Sequence, residues 1–429
     1  MFHLWISLLI AKVANGQNDY VSILAGDKLL IDGGQAAYSP KYPSYDNRTW
    51  IIDLSKSWTN VSVQPASVYR SREQPRFRYG SLWYDPTTES VYSFGGELGR
   101  DGGTVKSSGS TAPLEDSIWQ FTFNEDHTSG EWSEALGPRG TKGPFPSDIS
   151  SSISGATASD GRQAYYIGAR TSKFCSNKAG NTTVHSLPGL ITFDFATATL
   201  ENSTNDGSYF ASKLGEISTE DTTSLATAGV MTYAPFFGTE GIFVIVGGFE
   251  ADDGGQTKQW ANNITIYDPS TRLWHYQRAT GNIPEMRRNR FYCGFGAYDS
   301  SLSTYDIFLF GNFASDNTFY VLSLPSFRWH ATGLISSPGR TEMTCTSTKN
   351  RQAIIVGGTS TDPASYPDPQ NWEAQDPWTK GIHVFDMTAL DFADKYDANA
   401  PPYEASALIR DSYNSRFLAP FPARLEYAC

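Results

Sequence analysis

Three arginines stand at similar distances before a recurring apolar segment and could contribute to one site. Arg78 and Arg340 each lie 17 residues before the first glycine that ends such a segment, and Arg290 lies 21 residues before another. A guanidinium presents its N–H donors in a planar fork that suits carboxylate and carbonyl oxygens. If the segments are equivalent parts of a repeat, the three side chains converge, and the pattern predicts a site for an anionic or carbonyl-bearing ligand.

Other candidates for catalysis are few. No Gly-x-Ser-x-Gly motif occurs, and the six histidines are scattered along the chain. Glu342 lies close to Arg340 in sequence, but a single carboxylate does not identify a general base. The acidic segment containing Glu250, Asp252 and Asp253 could hold calcium, although a solvated loop explains it more simply. We therefore predict no metal and no cofactor.

The composition favours β-structure and argues against one class of partner. The chain has 429 residues, is 14% aromatic and 18% charged, and shows no amphipathic helical pattern of convincing length. Its formal net charge of -12 would repel a polyanion. A nucleic-acid partner is therefore not expected.

The N-terminus is typical of a secretory leader. An apolar core from Leu4 to Ala14 is followed by small residues, so residues 1–16 are predicted to be a signal peptide cleaved before Gln17. A first β-strand is the alternative interpretation. No other apolar segment approaches the ~20 residues that span a bilayer, so we expect a secreted chain without a transmembrane anchor. Five sequons agree with secretion and are candidate glycosylation sites: Asn47, Asn60, Asn181, Asn202 and Asn263.

An apolar strand that ends in glycine occurs six times. Each copy follows a strand and a tight turn, and precedes a strand that ends in a polar turn and a bulky residue. Six units of four short antiparallel strands are typical of propeller blades. We therefore predict an all-β, six-bladed propeller over residues 17–410 with a C-terminal tail over 411–429. The tryptophans that end the units are predicted to pack between blades: Trp58, Trp132, Trp274 and Trp329.

The fourth unit carries a resemblance to a known repeat. It reads IFVIVGGF and then ITIYDPSTRLW, with a glycine pair after an apolar strand, a Tyr-Asp-Pro turn, and Trp274 six residues past Asp268. This pattern resembles the kelch repeat, and the leader, six units and C-terminal part look like the secreted or surface kelch-repeat proteins of filamentous fungi. The resemblance implies a kelch propeller of the galactose-oxidase-like superfamily. Its implication for function is weak, because such propellers serve as binding scaffolds and as enzymes.

Copper chemistry occurs among kelch-like propellers and can be tested against the sequence. The copper radical oxidases need two histidines and two tyrosines around the metal. In this chain no two histidines fall on equivalent positions facing the centre of the ring. Copper is therefore not predicted.

The four cysteines, Cys175, Cys293, Cys345 and Cys429, allow three pairings if all are oxidised. None has a Cys-x-x-Cys spacing, so a zinc site is not predicted. Cys293 and Cys345 lie early in the inner strands of blades five and six, and similar fungal kelch proteins carry cysteines there. The resemblance thus implies a bridge between these two, and Cys175 and Cys429 could form a second.

The predicted strand order separates two faces of the propeller. Short turns join strands one and two, and strands three and four, on one face, which we call the short-turn face. On the other, the long-loop face, lie the connections 97–117, 169–189, 249–262 and 359–380. Because loops on a rigid scaffold commonly carry binding function, we place the site at the channel mouth on the long-loop face.

The residues near this mouth allow two interpretations. The arginines could hold a ligand, or each could hydrogen-bond backbone carbonyls of neighbouring blades and help to close the ring. The adjacent aromatic residues Tyr79, Trp83, Phe291 and Tyr292 could line a pocket, although packing between blades is the simpler interpretation.

Two functions follow from these alternatives. The first, which we prefer, is a secreted, monomeric scaffold that binds a protein, glycan or small-molecule ligand through the long-loop face. The second is a non-metal enzyme of fungal secondary metabolism, of the isomerase, cyclase or hydrolyase class. In that enzyme Arg78, Arg290 and Arg340 would polarise a carboxylate or carbonyl in an axial pocket.

Overall fold

The computed structural model describes most of the predicted propeller. The described residues are 17–37, 43–70, 74, 77–98, 117–146, 149, 154–168, 189–203, 227–251, 257–259, 261–286, 292–311, 318–335, 340–360 and 378–414. The predicted signal peptide and residues 415–429 of the predicted tail lie outside them.

The first three blades contain sixteen of the named strands. Blade one contains β1 (Gln17–Ala25), β2 (Lys28–Ala37), β3 (Pro43–Tyr45), β4 (Arg48–Asp53), β5 (Trp58–Thr59) and β6 (Ala66–Tyr69). Blade two contains β7 (Phe77–Arg78), β8 (Ser81–Asp85), β9 (Ser90–Phe94), β10 (Glu97–Leu98), β11 (Ile118–Phe123) and β12 (Gly130–Leu136). Blade three contains β13 (Ala156–Ser159), β14 (Gln163–Ile167), β15 (Leu190–Asp194) and β16 (Thr199–Asn202).

The other three blades follow the same plan. Blade four contains β17 (Thr227–Ala234), β18 (Ile242–Ala251), β19 (Thr257–Gln259), β20 (Asn263–Asp268) and β21 (Leu273–Arg278). A short β22 (Thr280–Gly281) leads to blade five, with β23 (Cys293–Asp299), β24 (Thr304–Phe310), β25 (Thr318–Leu324) and β26 (Arg328–Ile335). Blade six contains β27 (Arg340–Ser347), β28 (Gln352–Ser360), β29 (Ile382–Asp386) and β30 (Asp391–Ala393), and β31 (Lys395–Tyr396) comes after it.

The predicted fold is confirmed. In each of the six blades four main strands pair antiparallel in chain order, from the innermost strand to the outermost. The glycine-containing strand is the second strand of each blade, as the repeat predicts, but β2, β18 and β28 continue past their glycine pairs instead of ending there.

Apolar cores fill all six gaps between neighbouring blades. A blade is therefore buried on both faces, and its inner strands read as continuous apolar runs instead of alternating ones. All five residues of β9 and all seven of β24 are buried. The uninterrupted runs in the sequence thus have their origin in the stacking of blades around the ring.

An aspartate ends the third strand in four blades and shapes the following turn. Its side chain accepts the backbone N–H two or three residues later, which holds a tight turn without a partner strand. These bonds link Asp53 to Ser55, Asp194 to Thr197, Asp268 to Ser270, and Asp386 to Thr388. The recurring Asp of the repeat therefore stabilises the turn through local hydrogen bonds.

Blades one and six close the ring. Gln17 of β1 pairs with Gly358 of β28, and β31 pairs with β5. Trp58 and Tyr396 stack with their ring centroids 5.2 Å apart, and both side chains are buried. Segments at opposite ends of the described chain thus share one apolar core.

The C-terminal segment, residues 401–414, packs beneath blade five and ends in helix α1 (Ala407–Asn414). The backbone N–H of Ala405 donates to Asp299 over 2.7 Å, and the Tyr403 hydroxyl donates to Asp306 over 2.8 Å. Helix α1 extends across residue 410, where the sequence predicts the propeller to end and the tail to begin. Among the described helices, none combines the length and apolar character needed to cross a membrane.

Candidate functional site

The mouth of the central channel is built by the first residues of the six innermost strands and those just before them. All six blades line a cavity of about 210 Å³ there, and each contributes one of the following residues, among others: Tyr20, Tyr79, Ser154, Gly229, Tyr292 and Glu342. The end of β9 pairs with the start of β8, through Phe94 and Ser81. The connection that follows Phe94 therefore leaves blade two at the mouth, so the cavity lies on the long-loop face.

Most of the long connections themselves lie outside the described residues. These are 99–116, 169–188, 252–256 and 361–377. The acidic segment considered for calcium falls among them, since Asp252, Asp253 and the side chain of Glu250 are not described. Within the described part of the chain, no three His, Cys, Asp or Glu side chains are grouped for metal binding.

Three residues at the mouth have an unusual backbone. Tyr79, Ser154 and Glu342 have φ values of 58°, 59° and 62°, in the left-handed region that favours glycine. Such conformations cost about 1–3 kcal/mol each and persist where the surrounding structure imposes them. The Ser154 N–H donates to the Tyr79 carbonyl over 3.3 Å and joins blades two and three. The rim of the mouth is therefore held in a fixed, strained shape.

Below the mouth the channel continues into a wider space of about 350 Å³. Hydroxyl groups of the inner strands face one another there, and Ser22 is 2.8 Å from Thr344 and 2.7 Å from Thr346. These bonds cross from blade one to blade six. The channel wall at this depth mixes apolar side chains with hydroxyls, and the hydroxyls of Ser22, Thr344 and Thr346 are bonded to each other.

Arg340 is built into the wall beside the mouth. The residue is 2% exposed, and its Nε and Nη2 donate to the Gly357 carbonyl over 3.2 and 3.1 Å. Nη2 also donates to the Gly358 carbonyl over 2.5 Å, and the guanidinium lies 4.7 Å from the centre of the Trp378 ring. Both acceptors belong to β28 of its own blade, whereas the structural interpretation from sequence placed them on neighbouring blades.

The glycine pair in β28 lies beside Arg340, and its backbone accepts the Arg340 hydrogen bonds. Gly357 and Gly358 have φ values of 73° and 93°, and their carbonyls accept the Arg340 bonds. A Cβ on Gly358 would also overlap the Met343 side chain. Glycine is required here by both conformation and space.

The other two predicted arginines cannot be placed as side chains. Arg78 lies in β7, where its backbone pairs with Glu97, but its side chain is outside the description. Arg290 lies among residues 287–291, which are not described. The convergence of the three arginines stays a prediction.

The predicted bridge between Cys293 and Cys345 is confirmed. The two residues lie in β23 and β27, the innermost strands of blades five and six, with their Cα atoms 5.6 Å apart. Both line the channel mouth. Cys175 and Cys429 lie outside the described residues, so the second bridge stays a prediction.

The aromatic residues predicted near the mouth divide between the two interpretations. Tyr79 and Tyr292 line the mouth. Trp83 is buried, stacks on Phe94 and Phe193, and donates from Nε1 to the Thr157 hydroxyl over 2.7 Å, so it packs between blades two and three. Phe291 is outside the described residues.

Of the unit-ending tryptophans, three join their blade to the preceding one. Trp58 stacks on Tyr396, which follows blade six. Trp132 donates to Thr49 of blade one, and Trp329 donates to the Ala261 carbonyl before β20 of blade four. Trp274 also packs against the blade three–four core, but it borders a cleft between these two blades.

The described sequons differ in accessibility. Asn263 is exposed, and Asn47 and Asn202 are partly buried. Asn60 is 8% exposed, and its Nδ2 lies 3.4 Å from Asp394, so a glycan there would have to displace this contact. Asn181 is not described, and glycosylation at the five positions stays a prediction.

Sequence reasoning missed a buried charged network in blade one, which Trp132 of blade two joins. Asp32 and Arg70 form an ion pair with both side chains almost fully buried. The Thr49 hydroxyl donates to Asp32 over 2.7 Å, and the Trp132 indole donates to that hydroxyl over 2.8 Å. The sequence did contain a signal for this buried charge. The residue just before the glycine is Phe, Ile or Val in five copies of the repeat, and in the first copy it is Asp32.

No protein-family model matches the chain. The chain is similar to a kelch repeat-containing protein of Arthroderma benhamiae, with 24% identity over 405 residues, 86% of this chain and 55% of that protein. The chain thus spans about half the length of that relative.

Among solved structures, the chain is similar to YjhT, with a TM-score of 0.49 and 11% identity over 81% of this chain and 92% of that chain. The six-bladed architecture and the similarity to the kelch repeat-containing protein together support a kelch-type propeller.

Proposed function

We propose that this chain is a protein-binding scaffold whose partner inserts a side chain into the channel mouth. The observation that carries the proposal is the size and lining of the mouth. Its volume of about 210 Å³ is below the roughly 300–1,000 Å³ of sites that enclose a small molecule. It is rimmed by Tyr20, Tyr79 and Tyr292, and tyrosine is enriched in protein interfaces.

The placement of Arg340 favours a scaffold over the enzyme. Its guanidinium already donates to two backbone carbonyls and is shielded from solvent. Freeing it to polarise a substrate would leave these buried carbonyls without their donor, at a cost of about 1–3 kcal/mol for each lost partner. A structural role for Arg340 fits this arrangement better.

Site-specific photocrosslinking tests the proposal. A photoreactive phenylalanine analogue replaces Tyr79 at the mouth, and in a control it replaces Leu302, which is 37% exposed in a turn on the short-turn face. Each protein is irradiated with extracts of the source cells and their medium, and adducts are sequenced by mass spectrometry. We expect one defined polypeptide to crosslink to position 79 and not to position 302.

Competition decides whether that adduct reports a specific interaction. Excess wild-type protein should abolish it, whereas excess Tyr79→Ala protein should not, since the partly exposed aromatic residue of the mouth is missing. An adduct that contains sugar and no peptide would replace the protein partner with a glycan. If no macromolecule crosslinks at position 79, the scaffold function at the mouth is refuted.

We further propose that the chain acts outside the cell. The Cys293–Cys345 bridge is typical of an oxidising compartment, and the predicted leader and sequons agree with secretion. The four main strands of blade one lie within Gln17–Tyr69, after the predicted leader. N-terminal sequencing of the protein recovered from the medium should begin at Gln17, and a protein retained in cells with Met1 intact would contradict this.

A further inference from the structure

A second cavity lies between blades three and four, away from the channel mouth. It has a volume of about 590 Å³, within the roughly 300–1,000 Å³ range of small-molecule sites. Strands β14, β15 and β16 of blade three and β20 and β21 of blade four border it, with turns of both blades at one end. We call this cavity the blade 3–4 cleft.

One side of the cleft is aromatic. Trp274 and Tyr267 have their ring centroids 4.8 Å apart, and Tyr165 lies 5.9 Å from Tyr267. The two tyrosines are buried, whereas Trp274 is partly exposed, so the indole offers the accessible ring surface. The negative face of an aromatic ring attracts groups with positive edges, which include the C–H groups of a sugar ring.

The cleft also carries a polar chain, which begins at the Tyr165 hydroxyl and is held in place before any ligand arrives. The Tyr165 hydroxyl donates to Gln163 over 3.1 Å, and the Gln163 amide donates to Asp194 over 3.0 Å. The N–H and hydroxyl of Thr197 hold the other oxygen of Asp194, each over 2.9 Å. Although burial opposes it, these hydrogen bonds lower the pKa of Asp194, which is therefore a carboxylate at neutral pH.

The charges around the cleft select among ligand classes. Four carboxylates border it, those of Asp160, Asp194, Glu201 and Glu240, together with Arg162 and Arg272. The resulting net charge of -2 opposes an anion. Arg162 also bridges the two blades, with Nη2 3.2 Å from Glu240.

The mixture of hydrogen-bond donors and acceptors that line the cleft narrows the choice of ligand further. The carboxylates would attract a cation, but a cation offers no hydrogen-bond acceptor to the two guanidinium groups. A hydroxyl both donates and accepts a hydrogen bond, so a polyhydroxylated ligand can use the carboxylates and the guanidinium groups together. Such a ligand also presents C–H faces to the aromatic side.

We propose that the blade 3–4 cleft binds a neutral saccharide of one or two rings. One ring packs against the Trp274 indole, and its hydroxyls donate to Asp194 and Glu201 and accept from Arg272. The inference is independent of the proposed function, because the cleft and the channel mouth share no lining residue.

The test uses the full-length protein and four defined probes. Saturation-transfer NMR is recorded with cellobiose, maltose, chitobiose and mannobiose, followed by titration calorimetry of any that bind. Because Asn202 lines the cleft and begins a predicted sequon, all proteins carry Thr204→Ala, which removes the sequon and keeps Asn202. We expect at least one disaccharide to bind, and its Kd to rise about tenfold or more in Trp274→Ala.

Two further variants keep the test interpretable. Glu201→Gln changes an exposed side chain without threatening the fold, and we expect it to weaken the same disaccharide. Tyr69→Ala removes an aromatic residue of blade one that is 68% exposed, and it should bind as the parent does. The proposal is overturned if none of the four probes binds, if Trp274→Ala and Glu201→Gln both bind unchanged, or if tetramethylammonium binds the cleft and the disaccharides do not.

Discussion

At the residue scale, two buried charges of the described chain meet different kinds of partner. Asp32 directly follows the apolar residues 29–31 of β2, and Arg70, 38 residues away in sequence, supplies its counter-ion. Arg340 is likewise buried, but its partners are backbone carbonyls. Arginines that look equivalent in the sequence can therefore have different tasks, which only their surroundings distinguish.

We expect substitutions at Asp32 and Arg70 to have strongly non-additive effects on the free energy of unfolding. Arg70→Met should lower the free energy of unfolding by about 3–5 kcal/mol, because it leaves a buried carboxylate unpaired. Asp32→Val/Arg70→Met should recover most of that loss, since valine already occupies the equivalent position in blades four and six. Urea unfolding of the single and double variants measures both effects.

A surface pair provides the control for this cycle. Arg162 and Glu240 are 3.2 Å apart, but the Arg162 side chain is 64% exposed, so Arg162→Met should cost less than about 1 kcal/mol. Equal losses for Arg70→Met and Arg162→Met would show that burial of the first pair has no energetic importance.

Because Ser154 is strained, we expect serine-to-glycine substitutions at positions 154 and 159 to change stability in opposite directions. Ser154→Gly should stabilise the protein by about 1 kcal/mol, because glycine adopts φ 59° without the clash that serine has. Ser159→Gly in the extended strand β13 should instead destabilise it by about 0.5–1 kcal/mol. Thermal melting distinguishes the two, and a loss of stability in both would contradict the strain at Ser154.

At the element scale, the C-terminal segment is attached through a buried carboxyl. Burial is the main cause that raises the pKa of Asp306 to about 6, the nearby Asp299 raises it further, and hydrogen bonds from Ser323, Tyr403 and Thr304 oppose the shift. The Tyr403 hydroxyl donates to Asp306 over 2.8 Å. The protonation state of one blade-five residue is thus coupled to the docking of an element that follows blade six.

This coupling predicts a pH dependence with a defined sign. Because the folded-state pKa is raised from 3.8 to about 6, the protonated form of Asp306 is favoured by folding. The contribution is full below pH 3.8 and is lost as the pH rises through about 6, with an upper limit of about 3 kcal/mol. The most protected amides of the propeller, which exchange through global unfolding, should therefore exchange more slowly at pH 5 than at pH 7.5, after correction for intrinsic rates.

Asp306→Asn provides the control for the pH experiment. Its amide does not titrate in this range, so the difference in protection between pH 5 and pH 7.5 should disappear. If the variant and the wild type show the same pH dependence, groups other than Asp306 govern the pH dependence of unfolding.

At the scale of the whole molecule, ring closure joins distant parts of the chain. The described contacts between blades one and six include the stacked Trp58 and Tyr396 and the short pairing of β5 with β31. The Cys293–Cys345 bridge ties blades five and six at the channel mouth. One covalent and one aromatic contact therefore secure neighbouring gaps of the ring.

Loss of the bridge should weaken the whole propeller. Cys293→Ala/Cys345→Ala should lower the free energy of unfolding by about 2–5 kcal/mol, since the bridge closes a loop of 52 residues. Reducing agent should lower the Tm of the wild type and leave that of the variant almost unchanged. A wild-type Tm that is insensitive to complete reduction would contradict a stabilising role.

Sequence alone determined the architecture of this protein, because blade structure is encoded locally. Apolar runs ended by glycine and turns begun by Asp268 or Asp386 recur at short range, and each specifies a strand or turn without reference to the rest of the chain. The bridge between Cys293 and Cys345 followed from placing both in inner strands of a recognisable repeat.

Only the tertiary structure decided which side chains meet. Spacing suggested that Arg340 faces a ligand, or the carbonyls of a neighbouring blade, yet its bonds go to the glycines of its own blade. The Asp32–Arg70 pair joins residues 38 positions apart within blade one, and the blade 3–4 cleft depends on how consecutive blades fit together. Repeats specify each blade, but the gaps between blades are filled by residues far apart in sequence, so local patterns cannot predict their contents.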